Sequence, residues 1–255
     1  MPLGVFVYFV GTAGSGKSLL TSAFKAWLEQ NDIYAVTVNM DPGVEHLEYT
    51  PNVDIREWIS LSEVMDEFGL GPNGAQIVAA DMLAVRAKEV AEILEGFKAD
   101  YFLVDTPGQI ELFAFRKSSD MVLRTLEADR NVLAFLYDSG ISPSPSVFIS
   151  QIMLSATVHF RFWYPMVHLL TKVDLLPGYT VDKIVEWSRD PDALLSALEE
   201  EKGESYALSY ELLKLLENMG LYGGLRPVSG YSLYGLEDLY AAIQDVFMAG
   251  EDLRP

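Results

Sequence analysis

At 255 residues the chain is long enough to bury a substantial core, and α/β chains of this size commonly form one domain, so a single domain over 1–255 is expected. Its 37 acidic against 18 basic residues give a formal charge of −19, which repels a phosphate backbone wherever local groups do not reverse the field and argues against direct nucleic-acid binding. Cysteine is absent, which excludes disulfides, thiolate catalysis and cysteine-ligated zinc; His46, His159 and His168 lack metal-ligand spacing, so any metal takes oxygen ligands.

The chain enters an apolar strand pattern at 5–10 with no basic leader or cleavage site before it, and its last residues carry no lipidation signal, so a cytoplasmic protein is expected. Directly after this strand stands Gly11-Thr12-Ala13-Gly14-Ser15-Gly16-Lys17-Ser18, which satisfies G-x-x-x-x-G-K-[ST] and opens a helix pattern. In such a loop the glycines let the backbone curl until successive N–H groups point at phosphates. Lys17 then neutralises β/γ charge, the Ser18 hydroxyl ligates Mg²⁺, and the binding segment extends to Leu19.

A second apolar run at 33–38 leads to Asn39-Met40-Asp41-Pro42-Gly43. The region 54–97 departs from a minimal nucleotide-binding core: 60–68 and 76–94 read as helices, joined by Gly69-Leu70-Gly71-Pro72-Asn73-Gly74. A third strand at 101–104 delivers Asp105-Thr106-Pro107-Gly108-Gln109. Asp105 then sits at a strand's carboxyl end, where it holds Mg²⁺ through water in the Walker-B manner. Gly108 offers a backbone N–H with no side chain in the way of a γ-phosphate, and Gln109 is placed to orient an attacking water.

The fourth strand is expected at 132–137, followed by a proline- and serine-rich loop that starts a helix at 142–146. The longest apolar stretch, 147–170, is interrupted by Gln151, His159, Arg161 and Pro165, so it reads as a buried helix and then a strand at 166–170 rather than a membrane span. Thr171-Lys172-Val173-Asp174 follows and resembles the N/T-K-x-D base-reading motif of GTPases, with Thr171 where many have Asn. A carboxylate at Asp174 accepts from the N1–H and the 2-amino group of guanine, whereas adenine has no 2-amino group and presents an acceptor at N1. Lys172 can lay its aliphatic stem against the base. A second helical insertion covers 180–222, with the acidic run Glu199-Glu200-Glu201 on a solvated face. A sixth, short strand reaches Val228; backbone N–H groups around Ser229 and Gly230 are candidates to meet guanine O6, and 235–248 closes the chain as an amphipathic helix. The sum is an α/β, three-layer P-loop NTPase fold whose sheet is mostly or wholly parallel, with ligand chemistry at the strands' carboxyl ends.

Taken together, the P-loop, D-x-P-G-Q, T-K-x-D and Gly71-Pro72-Asn73 between two helices resemble the GPN-loop GTPases from Gly4 to about Gly230. The resemblance implies a SIMIBI-type P-loop fold, Mg²⁺-dependent conversion of GTP to GDP, and a homodimer in which Gly71, Pro72 and Asn73 of one subunit reach the phosphates of the other. It also implies that Asp41 faces the γ-phosphate and positions or deprotonates the lytic water, with Lys17, Gln109 and Asn73 completing the catalytic set. Eukaryotic relatives are tied to RNA polymerase assembly, so a protein client and a nucleotide-gated, chaperone-like role are implied, and a compact acidic chain resembles an archaeal member. Two other readings remain open: a SIMIBI-type ATPase, although Thr12 stands where its signature lysine would be, and a binding module with negligible hydrolysis.

Overall fold

A computed structural model of the chain describes residues 4–126, 130–202 and 206–251. The fold is α/β. Seven strands follow the order β3-β2-β4-β1-β5-β6-β7 in one sheet: β1 (Val5–Gly11), β2 (Ala35–Asn39), β3 (Val53–Asp54), β4 (Tyr101–Asp105), β5 (Asn131–Asp138), β6 (Met166–Thr171) and β7 (Arg226–Pro227). The pairings β1–β4, β2–β4, β2–β3 and β6–β7 are all parallel. Chain contacts divide the molecule into two compact units that meet in sequence within β5, one up to Ala134 and one from Phe135 onward.

In the first unit β1, β2 and β4 are buried along their whole length, as parallel strands covered on both faces must be, and this explains their unbroken apolar runs. Helix α1 (Lys17–Gln30) packs on all three. Phe6 stacks on Phe102 with ring centroids 4.5 Å apart, and Phe24 meets Phe9 and Tyr101 edge-on. These aromatic side chains anchor the strands whose ends carry the site.

The 54–97 region holds β3, a single 3-10 turn at Ile55–Glu57, α2 (Leu61–Phe68) and α3 (Pro72–Glu95). Ser60 caps α2 by accepting from Glu63 N–H at 3.4 Å, and Gly69 ends it in the left-handed conformation at φ 60°. Helix α3 starts four residues before the expected 76. Proline at the first helical position loses no hydrogen bond there, so Pro72 opens the helix behind the N-cap Gly71. The interhelical segment is therefore short, and Pro72 and Asn73 belong to the first turn of α3. Helices α4 (Ile110–Ala114) and α5 (Lys117–Leu126) complete the unit, with α5 packed along α3.

The second unit contains α6 (Pro145–Phe162), then α7 (Gly178–Trp187), α8 (Pro191–Lys202) and α9 (Tyr206–Asn218) in the expected 180–222 insertion, and α10 (Leu236–Glu251). The 147–170 stretch divides into α6 and β6 as its interruptions indicate. β7 ends at Pro227, yet Val228 N–H still donates to Leu170 O at 2.8 Å. Gly235 turns into α10 at φ 75°, and a Cβ there would stand 2.1 Å from Pro227 O, so only glycine fits. No helix among the described residues is long and apolar enough to cross a membrane.

His168 on β6 gives this unit a pH dependence. The Tyr137 hydroxyl donates to Ser155 Oγ at 2.8 Å and lies 3.2 Å from His168 Nδ1, so its remaining role toward that nitrogen is as an acceptor. Burial pushes the imidazole down to about 4, with the neighbouring charges of His159 and Arg226 acting the same way. The folded value lies below the ordinary 6.5, so the contribution is complete above pH 6.5 and is lost as pH falls toward 4. The residue as a whole keeps some solvent contact, which sets the linked loss at roughly 2 kcal/mol. Urea unfolding at pH 7.5 and pH 5 is expected to show this loss in the parent protein and a smaller one in His168→Asn.

Candidate functional site

Each unit carries one cluster of polar residues at the ends of its strands. In the first, β1 ends at Gly11 and the chain turns back through 12–16, where Ser15 N–H donates to Thr12 O at 3.1 Å. Gly14 (φ 76°) and Gly16 (φ 92°) adopt backbone angles that L side chains rarely reach, and space around Gly14 is open. Gly16 is the N-cap of α1 and has no side chain to satisfy the helix's first N–H groups. Those groups are oriented for an anion. Lys17 Nζ bends over the loop onto Gly11 O and Thr12 O, 3.0 Å from each. Burial pulls its ammonium below the usual lysine range, while Asp105 and Asp41 act in the opposite direction.

Asp105, at the end of β4, is 2% exposed. Burial pushes its carboxyl up to about 6, against hydrogen bonding from Ser18, the charge of Lys17 and hydrogen bonding from Tyr49. The Tyr49 hydroxyl donates to Asp105 Oδ2 at 3.2 Å, and burial raises that phenol well above its ordinary range. Thr106 Oγ1 donates to Phe9 O at 2.6 Å and pins the turn after β4 to β1. Thus Lys17, Ser18 and Asp105, three residues from two motifs, form one cluster.

Asp41 joins it from the end of β2. Its Oδ2 accepts from Gly108 N–H at 2.9 Å and its Oδ1 from Gly43 N–H at 2.9 Å. A Cβ on Gly108 would stand 3.6 Å from Asp41 Oδ2 and 3.9 Å from Ala13 Cβ, so the turn after β4 lies between the carboxylate and the 11–18 loop. Behind Asp41 runs a second row of contacts. Asn39 Oδ1 accepts from Asp41 N–H at 3.1 Å, and Asn39 Nδ2 donates to Asp54 Oδ1 at 2.9 Å. Asp54 in turn takes a bidentate pair of bonds from Arg56, whose Nη1 also donates to Val44 O. The Arg56 guanidinium and Asn39 amide hold the Asp54 carboxyl below the usual range in spite of its burial.

Tyr49, Asp54 and Arg56 are additions to the sequence reading, and Asn39 gains a role there. Asn39 and Asp54 face each other only because β2 and β3 pair in that register, and a two-residue strand leaves no period to read. Gln109 is exposed beside Gly108, and Gly71, Pro72 and Asn73 are exposed at the head of α3. None of these four has a side-chain hydrogen bond to the cluster among the described residues.

The cluster of the second unit is built on β5 and β6. Lys172 sits in the left-handed conformation at φ 58°, which turns the chain off β6, and its Nζ pairs with Asp138 Oδ2 at 2.8 Å. Ser139 Oγ donates to Lys172 O at 2.9 Å, and Thr171 Oγ1 donates to Tyr137 O at 3.1 Å. Thr171 is buried and supports the loop from beneath. The Ser229 hydroxyl donates to Asp174 Oδ1 at 2.5 Å, while the Ser229 N–H donates to Tyr234 O at 3.0 Å. The side chain of Ser229 is therefore what addresses Asp174, and its own N–H is engaged within the 229–234 turn. Asp138 was legible in principle: it ends a buried strand just as Asp105 does.

A parallel sheet, a glycine loop that opens a helix after β1, and a strand-end carboxylate bonded to that helix's serine define a P-loop nucleotide-binding protein. Residues 9–249 match the family model described as a conserved hypothetical ATP binding protein. The chain is 31% identical to a GPN-loop GTPase of Pyrococcus abyssi over 98% of its own length and 100% of the relative's. It is also 31% identical to GPN-loop GTPase 1 of Dictyostelium discoideum, covering 95% of this chain but only 61% of that longer protein. The crystal structure of a Pyrococcus abyssi GTPase in apo form superposes with a TM-score of 0.84 at 29% identity, covering 97% of this chain and 99% of that one. The chain belongs to the GPN-loop GTPase family.

Proposed function

We propose that the protein hydrolyses GTP to GDP and phosphate in a Mg²⁺-dependent reaction, as a homodimer in the cytoplasm. The observation that carries the reading is the Asp41–Gly108 hydrogen bond: it sets a carboxylate beside the turn that follows the Walker-B aspartate, in the same cluster as Lys17. The triphosphate takes the 11–18 loop, where Lys17 exchanges its two carbonyl partners for phosphate oxygens. Ser18 and Asp105 suit Mg²⁺, being hard oxygen donors already bonded to each other, and burial of the Asp105 carboxyl is relieved by a cation. Bound there, Mg²⁺ neutralises charge on the β- and γ-phosphates. Asp41 orients the attacking water or takes its proton, and Gln109, exposed beside Gly108, is the second candidate to hold that water.

The base takes the second unit's loop. Asp174 accepts from N1–H and the 2-amino group of guanine while Ser229 fixes its carboxylate, Lys172 lies along the ring, and guanine O6 takes its donor from the backbone at Gly230. Adenine offers neither donor, which favours GTP over the ATP of the family model's description. The exposed Gly71, Pro72 and Asn73 then serve the partner's phosphates, and the nucleotide-gated dimer acts on a protein client, of RNA-polymerase-related kind by resemblance. Phosphate release from GTP and ATP, measured side by side with Mg²⁺ and with EDTA, tests this: turnover of GTP at least tenfold above ATP and abolished by EDTA is expected. Equal turnover of the two nucleotides would contradict it.

A further inference from the structure

Gln76 stands one helical turn beyond Asn73 on α3, on the same side of the helix. Its side chain reaches the Asp41–Gly43 turn of its own subunit. A methyl group built on Gly43 would lie 3.0 Å from Gln76 Nε2 and 3.4 Å from its Cγ, and the same point lies 3.4 Å from Asp41 Oδ1. Amide and carboxylate thus flank one glycine, each within 3.4 Å of the same point beside it. Gly43 contributes its N–H to that carboxylate oxygen, so the turn has no side chain between the two groups. The Gln76 Oε1 is buried and has no hydrogen-bond partner among the described residues. An amide oxygen buried in that condition costs stability unless a polar group meets it.

We infer that Gln76 is a positioning residue for Asp41: its amide packs on the Gly43 turn, whose N–H holds the carboxylate that addresses the attacking water. The inference rests on the assignment of Asp41 made above. It gives the head of α3 two tasks: Asn73 serves the partner's phosphates and Gln76 serves the catalytic turn of its own chain. A shift of α3 caused by contact on one side is then felt at the other.

Gln76→Met tests it, because methionine keeps the length and packing of the side chain and removes both polar atoms. The expected result is a kcat about tenfold lower, with KM and GDP affinity within about twofold of the parent and an unchanged or higher melting temperature. Gly43→Ala, whose methyl displaces the amide, is expected to lower kcat similarly, and the double variant to fall no further than either single one. A purely structural role predicts parent-like turnover in Gln76→Met. Parent-like kcat in Gln76→Met, with Asp41→Ala inactive, overturns the role of Gln76 alone. Parent-like kcat in Asp41→Ala overturns the assignment on which that role rests.

Discussion

Asp41→Ala is expected to lower kcat for GTP by about 10²–10⁴-fold and to leave GDP affinity within a few-fold of the parent. The split follows from position. In the proposed reading phosphate affinity resides in the 11–18 loop, the helix N-terminus and Lys17, whereas Asp41 is held from outside that loop, by the N–H groups of Gly43 and Gly108. The carboxylate itself is held by two N–H groups, from Gly43 and Gly108, and by the Asn39–Asp54–Arg56 row behind its backbone. Such support fixes a carboxylate's direction ahead of the reaction, which is what orienting a water requires. Single-turnover phosphate release together with fluorescent GDP titration checks both halves of the expectation. Mixed dimers extend the test to the proposed contribution of Asn73 across a dimer: an Asp41→Ala subunit paired with an Asn73→Ala subunit would keep one site with both groups intact. Activity well above that of either homodimer is expected. Mixed dimers that form and remain as inactive as the homodimers exclude a role for Asn73 across the interface.

Asp174→Asn is expected to lower kcat/KM for GTP by about 10² or more and to raise it for xanthosine triphosphate above the value for GTP. Xanthine keeps the N1–H of guanine but replaces the 2-amino donor by a carbonyl acceptor. The asparagine amide offers one acceptor and one donor in the same plane, which matches that pair. The Ser229 hydroxyl, which donates to Asp174 Oδ1 in the parent, can rotate to donate to or accept from the amide, so the variant's loop keeps its support. Competition of the two triphosphates in a steady-state assay reads the switch. A variant that loses GTP without gaining xanthosine triphosphate points to collapse of the Lys172–Asp174 loop instead.

Much of this was legible because the relevant signals are local. Strands buried on both faces produce unbroken apolar runs, and β1, β2, β4, β5 and β6 fall within one or two residues of their expected spans. The 11–18 loop is encoded in one contiguous segment, so nothing distant is needed to recognise it. β3 escaped notice because two residues carry no periodicity. Helix α3 starts four residues before its expected span because Gly-Pro-Asn-Gly reads as an interhelical turn, although proline is at home at the first helical position. The contacts that were not legible depend on register between elements. Asn39 meets Asp54 across β2 and β3, and Tyr49 meets Asp105 from a loop with no pattern of its own. Gln76 was the expected first residue of its helix, and only the approach of α3 to Gly43 gives it meaning.

The proposed reading is hydrolysis of GTP, with the 11–18 loop and Asp41 assigned to the phosphates and Asp174 to the base. A crystal structure of the protein with Mg²⁺ and a slowly hydrolysed GTP analogue tests it most directly. The expected result is the guanine N1–H and 2-amino group on Asp174, the phosphates within the 11–18 loop with Lys17 released from Gly11 O and Thr12 O, and a water between Asp41 and the γ-phosphate. Guanine bound away from Asp174, or a γ-phosphate whose nearest water has no contact with Asp41, would contradict it.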